Sequence, residues 1–336
     1  MNDTVKKITN LIEGSRAVLI TSHQDPDGDS VGSQLALAEL LEGQGKTCRI
    51  INQGPLSSRY MFLDPQKKIE DVDGLQLQKC ALAGFDPVFV LDCTSLSRLG
   101  QVERLLPSEA TIINIDHHPD NERFGTVNYL DVGASAAGEM IFSLLEACDF
   151  SISPAVATQL YAAILSDTGR FKFPNTSPRC LRVCAELVAS GADPKYVTNQ
   201  IYFNHSPAFL KLLGSILSSP EIVDRGRICA MTLEQSLLAD LKIDPREIEG
   251  VVDYSLFVKG VEIGLLFTEK GDGETKVNLR SQNEYDVSKI ARCFGGGGHR
   301  NAAGCTVNQN LEQTKRIILE QVKKTLKDEP VRSLSG

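Results

Sequence analysis

The sequence predicts an α/β protein in which a doubly wound, mainly parallel sheet is followed by a smaller α+β domain. Three observations carry this. Strand and helix signals alternate through the first half of the chain. Two strands there, 86–92 and 111–115, are short, nearly continuous apolar runs, as suits central parallel strands covered on both faces. Beyond residue 227 strands follow one another, and 261–268 and 275–281 are joined by Lys270-Gly271-Asp272-Gly273, a hairpin turn. At 336 residues the chain is long enough for two cores.

Taken in order, residues 1–14 set Val5, Ile8, Leu11 and Ile12 among charged side chains, an amphipathic helix lacking the apolar core of a secretion signal. Strands are expected over 17–22 and 47–52, with a helix over 30–42 between them. Helices follow over 134–147 and 154–165, the second capped by Ser153 with Pro154 at its first position. This first domain is assigned residues 1–185. Ser177-Pro178 and Asp193-Pro194 open further helices, and 186–220, poor in strand signal, is read as a helical linker. The second domain, 221–330, has strands at 228–233, 261–268, 275–281 and near 305–307. Its helices are expected around 245–252, 287–294 and 311–326, and a glycine run fills 295–298.

The net charge is −8, which disfavours a long basic track for nucleic acid and excludes long duplex as a partner. Any polyanionic substrate must be small or met by a local cationic pocket. Nine cysteines include no C-x-x-C pair, and Cys180 and Cys184, one helical turn apart, are read as packing. Reduced thiols, no membrane partner and a cytoplasmic location are expected.

Chemistry concentrates where strands end. His23-Gln24-Asp25-Pro26-Asp27-Gly28-Asp29-Ser30 lies between a strand and a helix. It reads two ways: as a turn with a helix cap, or as a site for a divalent transition metal, with Gly28 folding the backbone tightly between two carboxylates. Asp92 closes the 86–91 strand, Asp116-His117-His118 closes the next, and Asp167 lies where a helix ends. Parallel strands present these ends on one sheet edge, so His23, Asp27, Asp29, Asp92, His117 and Asp167 should converge. So many carboxylates repel unless cations neutralise them. Two divalent ions about 3.5–4 Å apart are a common device for phosphoester hydrolysis. Helix capping accounts for one or two of the aspartates, but not for adjacent histidines in a chain with five.

His-x-x-x-Asp-x-Asp, a strand-terminal Asp, Asp-His-His and a later Asp resemble the DHH phosphoesterases. Gly295-Gly296-Gly297-Gly298-His299-Arg300-Asn301-Ala302-Ala303-Gly304 resembles the DHHA domain that accompanies them. The resemblance spans nearly the whole chain and is strongest to bacterial nanoRNases that also dephosphorylate 3′-phosphoadenosine 5′-phosphate (pAp). It implies a first metal held by His23, Asp27 and Asp92, and a second by Asp29, Asp92, His117 and Asp167, with Asp92 bridging. The ions would be Mn²⁺, with Mg²⁺ or Co²⁺ as alternatives, and a water between them would attack phosphorus. His118 would face the scissile phosphate and Asp116 would orient the histidines. Arg280, Ser281, Gly297, Gly298, His299 and Arg300 would bind substrate: nanoRNA, pAp, or linear or cyclic dinucleotides. The glycine run also reads as a hinge, and Phe171 and Phe173 as base-stacking or core residues. A homodimer is an expected partner state. Rival functions are a single-strand DNA exonuclease of the same superfamily, an inorganic pyrophosphatase and a non-catalytic nucleotide sensor.

Overall fold

The computed structural model describes residues 3–75, 82–248, 250–282 and 285–328. Its contacts divide the chain into two units, Met1–Asn204 and His205–Gly336.

The first unit begins with α1 (Asp3–Gly14), which buries Val5, Ile8 and Ile12 along one face. There follow β1 (Ala17–Thr21), α2 (Gly28–Gly43), β2 (Thr47–Asn52), β3 (Ile69–Asp71), β4 (Val88–Leu91), β5 (Ile112–Asp116) and β6 (Val127–Leu130). The unit ends with α3 (Ala137–Ala147), α4 (Pro154–Asp167), α5 (Pro178–Ala189) and α6 (Pro194–Tyr202). The six strands form a parallel sheet in the order β3-β2-β1-β4-β5-β6. From β1 the chain builds outward to β2 and β3, then crosses back to place β4, β5 and β6 on the other side. Its connections diverge between β1 and β4. Beyond the carboxyl ends of those strands lies the crevice where open α/β sheets take ligands.

Alternation along the strands divides the apolar side chains between two layers. Val18, Ile20, Phe89, Leu91, Ile113 and Ile115 pack with residues from α1 to α6. Leu19, Ile51, Val88 and Val90 pack on the opposite face with Leu99 and Val102, which lie in two 3₁₀ segments within Leu96–Leu105 separated by the non-helical Gly100. Both faces are covered, as the continuous apolar strands require, though one is covered by α-helices and the other largely by shorter segments. Helix α2 is buried nearly all round because α4 lies against it. A Cβ on Gly32 would approach the Gln159 carbonyl oxygen to 2.2 Å. Backbone cannot rotate away as a side chain can, so Gly32→Ala is expected to lower stability by about 1–3 kcal/mol. The thermal unfolding midpoint reads this, and an unchanged midpoint would show that the helices part freely.

The second unit contains α7 (Pro207–Ser218), β7 (Glu221–Val223), β8 (Ile228–Leu233), α8 (Gln235–Leu241), β9 (Ile263–Glu269) and β10 (Thr275–Ser281). After these come α9 (Val287–Arg292), β11 (Gly297–His299), β12 (Ala302–Val307) and α10 (Leu311–Asp328). Its sheet runs β11-β12-β10-β9-β8-β7, with β8 and β9 parallel and the other neighbours antiparallel. Ile263, Leu265 and Phe267 of β9 pack with Ile290, Ile318 and Val322, while Leu266 faces Phe209, Leu212 and Val252.

Helices α5 and α6 contribute Cys180, Cys184, Leu187, Val197 and Ile201 to the first core, and α7 contributes Phe209, Leu212 and Ile216 to the second unit. The stretch 186–220 is thus shared between the two units. No helix among the described residues is long and apolar enough to cross a membrane.

Candidate metal centre

Three strands deliver cation-binding side chains to the crevice. β1 runs through Thr21 and Ser22 into His23, Asp92 follows β4, and β5 ends on Asp116 with His117 and His118 behind it. The loop after β1 turns into α2, and Asp27 Oδ1 caps that helix, accepting from the N–H groups of Asp29 and Ser30 at 3.0 and 3.1 Å. Capping and metal binding do not compete here, because Asp27 also stands in a donor group with His23 and Asp92. Gly28 is not in a left-handed conformation, so the tight turn expected there is not why glycine is needed. A Cβ would come 2.2 Å from Ser166 Oγ of α4, so the reason is the approach of two helices.

Donor atoms of His23, Asp27 and Asp92 lie within 4.8 Å of one another. The same holds for Asp29, His117 and Asp167, and for Asp92, Asp116, His117 and His118. His117 Nε2 is 3.7 Å from Asp29 Oδ2, 3.7 Å from Asp92 Oδ1 and 3.6 Å from Asp167 Oδ2. Asp92 Oδ2 lies 3.6 Å from His23 Nε2, and Asp92 Oδ1 lies 3.6 Å from His118 Nδ1. The structure therefore gathers His23, Asp27, Asp29, Asp92, Asp116, His117, His118 and Asp167 in overlapping groups.

Neighbouring groups fix these side chains. Ser30 Oγ donates to Asp92 Oδ2 at 2.7 Å and lies 2.9 Å from His23 Nε2. Asp116 Oδ1 accepts from the N–H groups of His117 and His118, at 2.8 and 3.3 Å, and from His118 Nδ1 at 2.7 Å. Its other oxygen accepts from Asn121 Nδ2 at 2.6 Å. Asp29 receives the N–H groups of Ala137 and Gly138 and the Ser33 hydroxyl. Ser30, Asn121 and the start of α3 are not legible as site components, because no spacing rule links them to the aspartates and histidines of the cluster. Nor was exposed Arg98, which lies near enough to His23 to depress its pKa.

On its own charges the cluster gathers protons. Burial lowers the His23 pKa, but Asp92 and Asp27 outweigh it and raise the value to about 9. Burial likewise disfavours charged His117, and Asp167, Asp92 and Asp29 overcome this to hold its pKa well above the usual imidazole range. Asp29 is pushed well above the carboxylate range by burial and then by Asp92. Burial also pushes Asp92 up, yet His117, His23 and His118 around it win and hold it well below. A divalent cation would replace those protons.

The residues fit such an ion. His23 Nδ1 lies 2.8 Å from Gln24 O and His117 Nδ1 3.3 Å from Ala134 O. Donation there selects the tautomer that turns Nε2 of each ring toward the carboxylates. Separations of 3.6–3.7 Å around His117 Nε2 are too long for hydrogen bonds. They are close to the spacing of roughly 3–3.5 Å between ligands that sit about 2.1 Å from a shared ion. Imidazole nitrogen with carboxylate oxygen suits divalent first-row metals.

In the second unit, Arg280 and His299 both pair with Ala302, from opposite sides of β12. They share a sheet face, two strands and roughly 10 Å apart. Arg280 Nε is committed to Asp253 Oδ1 at 2.9 Å. Ser281, one residue on, turns to the buried face, donates to Tyr285 O at 2.6 Å and accepts from Asn301 Nδ2 at 3.0 Å. Gly297 and Gly298 form the short strand β11 against β12, where a Cβ on Gly298 would meet Ala302 O at 2.6 Å. Exposed Arg300 follows in the turn.

Comparison with known proteins agrees with this architecture. Residues 17–164 match the model of the DHH family N-terminal domain, and residues 227–328 match that of the DHHA1 domain. The bifunctional oligoribonuclease and PAP phosphatase NrnA of Thermus thermophilus is 31% identical over 96% of this chain and 93% of its own. The chain belongs to the DHH family. Other DHH-type relatives agree in extent: NrnA of Bacillus subtilis is 26% identical, over 90% of this chain and 93% of its own. The cyclic-di-AMP phosphodiesterase GdpP of Geobacillus thermodenitrificans is 26% identical over 93% of this chain but 48% of its own. A crystal structure of an exopolyphosphatase-related protein from Bacteroides fragilis superposes with a TM-score of 0.89, covering 97% of each chain at 25% identity. The clusters of this DHH protein could hold divalent metal ions.

Proposed function

We propose that this chain is a metal-dependent phosphoesterase that hydrolyses short oligoribonucleotides and pAp. The observation that carries the reading is that Asp92 stands in one donor group with His23 and Asp27 and in another with Asp116, His117 and His118, its Oδ1 3.7 Å from the His117 Nε2 that also faces Asp29 and Asp167, in a chain similar to NrnA from end to end. His23, Asp27 and Asp92 would hold one divalent ion, and Asp29, His117 and Asp167, with Asp92 shared, a second; Mn²⁺ suits the mixed nitrogen and oxygen donors. When bound, such ions polarise a phosphoryl oxygen and acidify water that is to attack phosphorus.

The remaining work falls to the chain's own groups. Asp116 fixes the His118 ring at Nδ1, which sets the direction in which His118 meets the scissile phosphate. Asp27, through its cap on α2, holds the loop that carries His23 against β4. In the second unit Arg280, His299 and Arg300 supply cations and donors for a terminal phosphate, and the backbone of Gly297 and Gly298 allows close approach. With a net charge of −8, a long polyanion would lie along a repulsive surface, so recognition of one end is favoured over tracking. The chain would act in the cytoplasm, where its cysteines stay reduced.

GdpP's similarity favours a second substrate class, linear or cyclic dinucleotides, for the same machinery. The test is turnover with Mn²⁺ on pAp, a length series of RNA, a cyclic dinucleotide and pyrophosphate, at low and high salt. Rates that fall with RNA length, with shallow salt dependence, are expected. Processive degradation of long single strands, or hydrolysis of pyrophosphate alone, would reject the reading.

A further inference from the structure

Asp29, His117 and Asp167 come from three parts of the chain, and one short segment reaches all of them. Residues 131–138 carry the backbone from β6 into α3. Ala134 O lies 3.3 Å from His117 Nδ1. Ser135 O accepts from Asn175 Nδ2 at 2.9 Å, and that amide also donates to Asp167 O at 3.1 Å and lies 3.3 Å from Asp167 Oδ2. The N–H groups of Ala137 and Gly138 donate to Asp29 Oδ2 and Oδ1 at 2.6 and 2.9 Å. His23 and Asp92 are held differently, by Gln24 O and by Ser30.

The segment is itself clamped. Glu139 is wholly buried, and its Oε2 accepts from Ser135 N at 2.9 Å and Ser135 Oγ at 2.5 Å. Its Oε1 meets Arg179 Nε of α5 at 2.5 Å, while Arg179 Nη1 meets Asp131 Oδ2 at 2.7 Å. One guanidinium therefore ties the start of the segment to its end. A buried carboxylate is retained only when paired, and a lysine's single ammonium could not reach both carboxylates as the guanidinium does.

We propose that Arg179 and Glu139 are a positioning pair that sets the affinity of the Asp29–His117–Asp167 group for its metal ion, without touching ion or substrate. This rests on the metal-dependent reading above. Displacing the segment shifts the partners of all three ligands together while the His23–Asp27–Asp92 group keeps its own supports. Loss of outer partners of metal ligands typically lowers affinity by roughly 10–100-fold.

The experiment is Mn²⁺ titration by calorimetry of the wild type, Arg179→Met, Arg179→Lys, Glu139→Gln and Arg49→Met, with thermal unfolding of each metal-stripped protein. Arg49→Met breaks an ion pair with Glu70 (2.8 Å) in the same unit and controls for a general loss of stability. Arg179 is partly exposed, so its variants should fold. In the wild type two classes of Mn²⁺ are expected. Arg179→Met and Glu139→Gln should weaken one class by roughly tenfold or more, Arg179→Lys by less, and Arg49→Met neither. Excess Mn²⁺ should restore turnover to Arg179→Met. Wild-type affinities in Arg179→Met and Glu139→Gln, or equal weakening of both classes, would overturn the proposal. Absence of Mn²⁺ binding by the wild type would overturn the underlying reading and the pair's role with it.

Discussion

Asp92→Ala is expected to reduce hydrolysis by about a thousandfold or more, equivalent to roughly 4 kcal/mol of barrier, while leaving the fold in place. The two Asp92 oxygens face different partners, His23 on one side and His117 and His118 on the other. Removing the carboxylate takes a donor from both groups and leaves three buried imidazoles without the anion that draws them together. The position follows a strand, at φ 50°, and an alanine there costs only about 1–2 kcal/mol of backbone strain. Turnover and bound metal, measured on the same purified variant, check this. Substantial activity in Mn²⁺-supplemented buffer would remove Asp92 from its shared position.

The adjacent histidines should separate in their effects. His117 Nε2 points into a ring of three carboxylates, whereas His118 is held at Nδ1 by Asp116. His117→Ala is expected to lose bound metal and, with it, activity. His118→Ala should retain metal and lose about 10²–10⁴-fold in kcat, the range for one acid–base or phosphate-contacting group. Metal analysis of the two proteins decides the assignment. Metal lost from His118→Ala and kept by His117→Ala would exchange their roles.

The gathering of the strand-end side chains is legible because parallel topology turns strand ends into neighbours. Once 17–22, 86–92 and 111–115 were read as parallel strands, His23, Asp92 and Asp116-His117-His118 had to share an edge, as they do. What holds them was not legible. Ser30 lies seven residues from His23 and sixty-two from Asp92, and Asp29 meets α3 more than one hundred residues on. Contacts of that separation depend on how α2, α3 and α4 stack, which periodicity does not encode. Short edge strands escaped for a related reason. β3 and β11 have three residues each, too few for alternation to register. The glycines of β11 suggest a loop, yet they pair with β12 as a strand, in which Gly298 has no room for a side chain. In the second unit the family resemblance brings Arg280 and Ser281 forward together, but successive strand residues face opposite ways, and only Arg280 joins His299.

Metal dependence is the claim on which the rest stands. The direct measurement is turnover of pAp and a dinucleotide by chelator-stripped protein, before and after stepwise addition of Mn²⁺, with bound metal counted at each step. The account predicts no turnover in the stripped protein, recovery that follows Mn²⁺ occupancy, and saturation at two ions per chain. Full turnover by stripped protein, or Mn²⁺ binding that restores none, would contradict it.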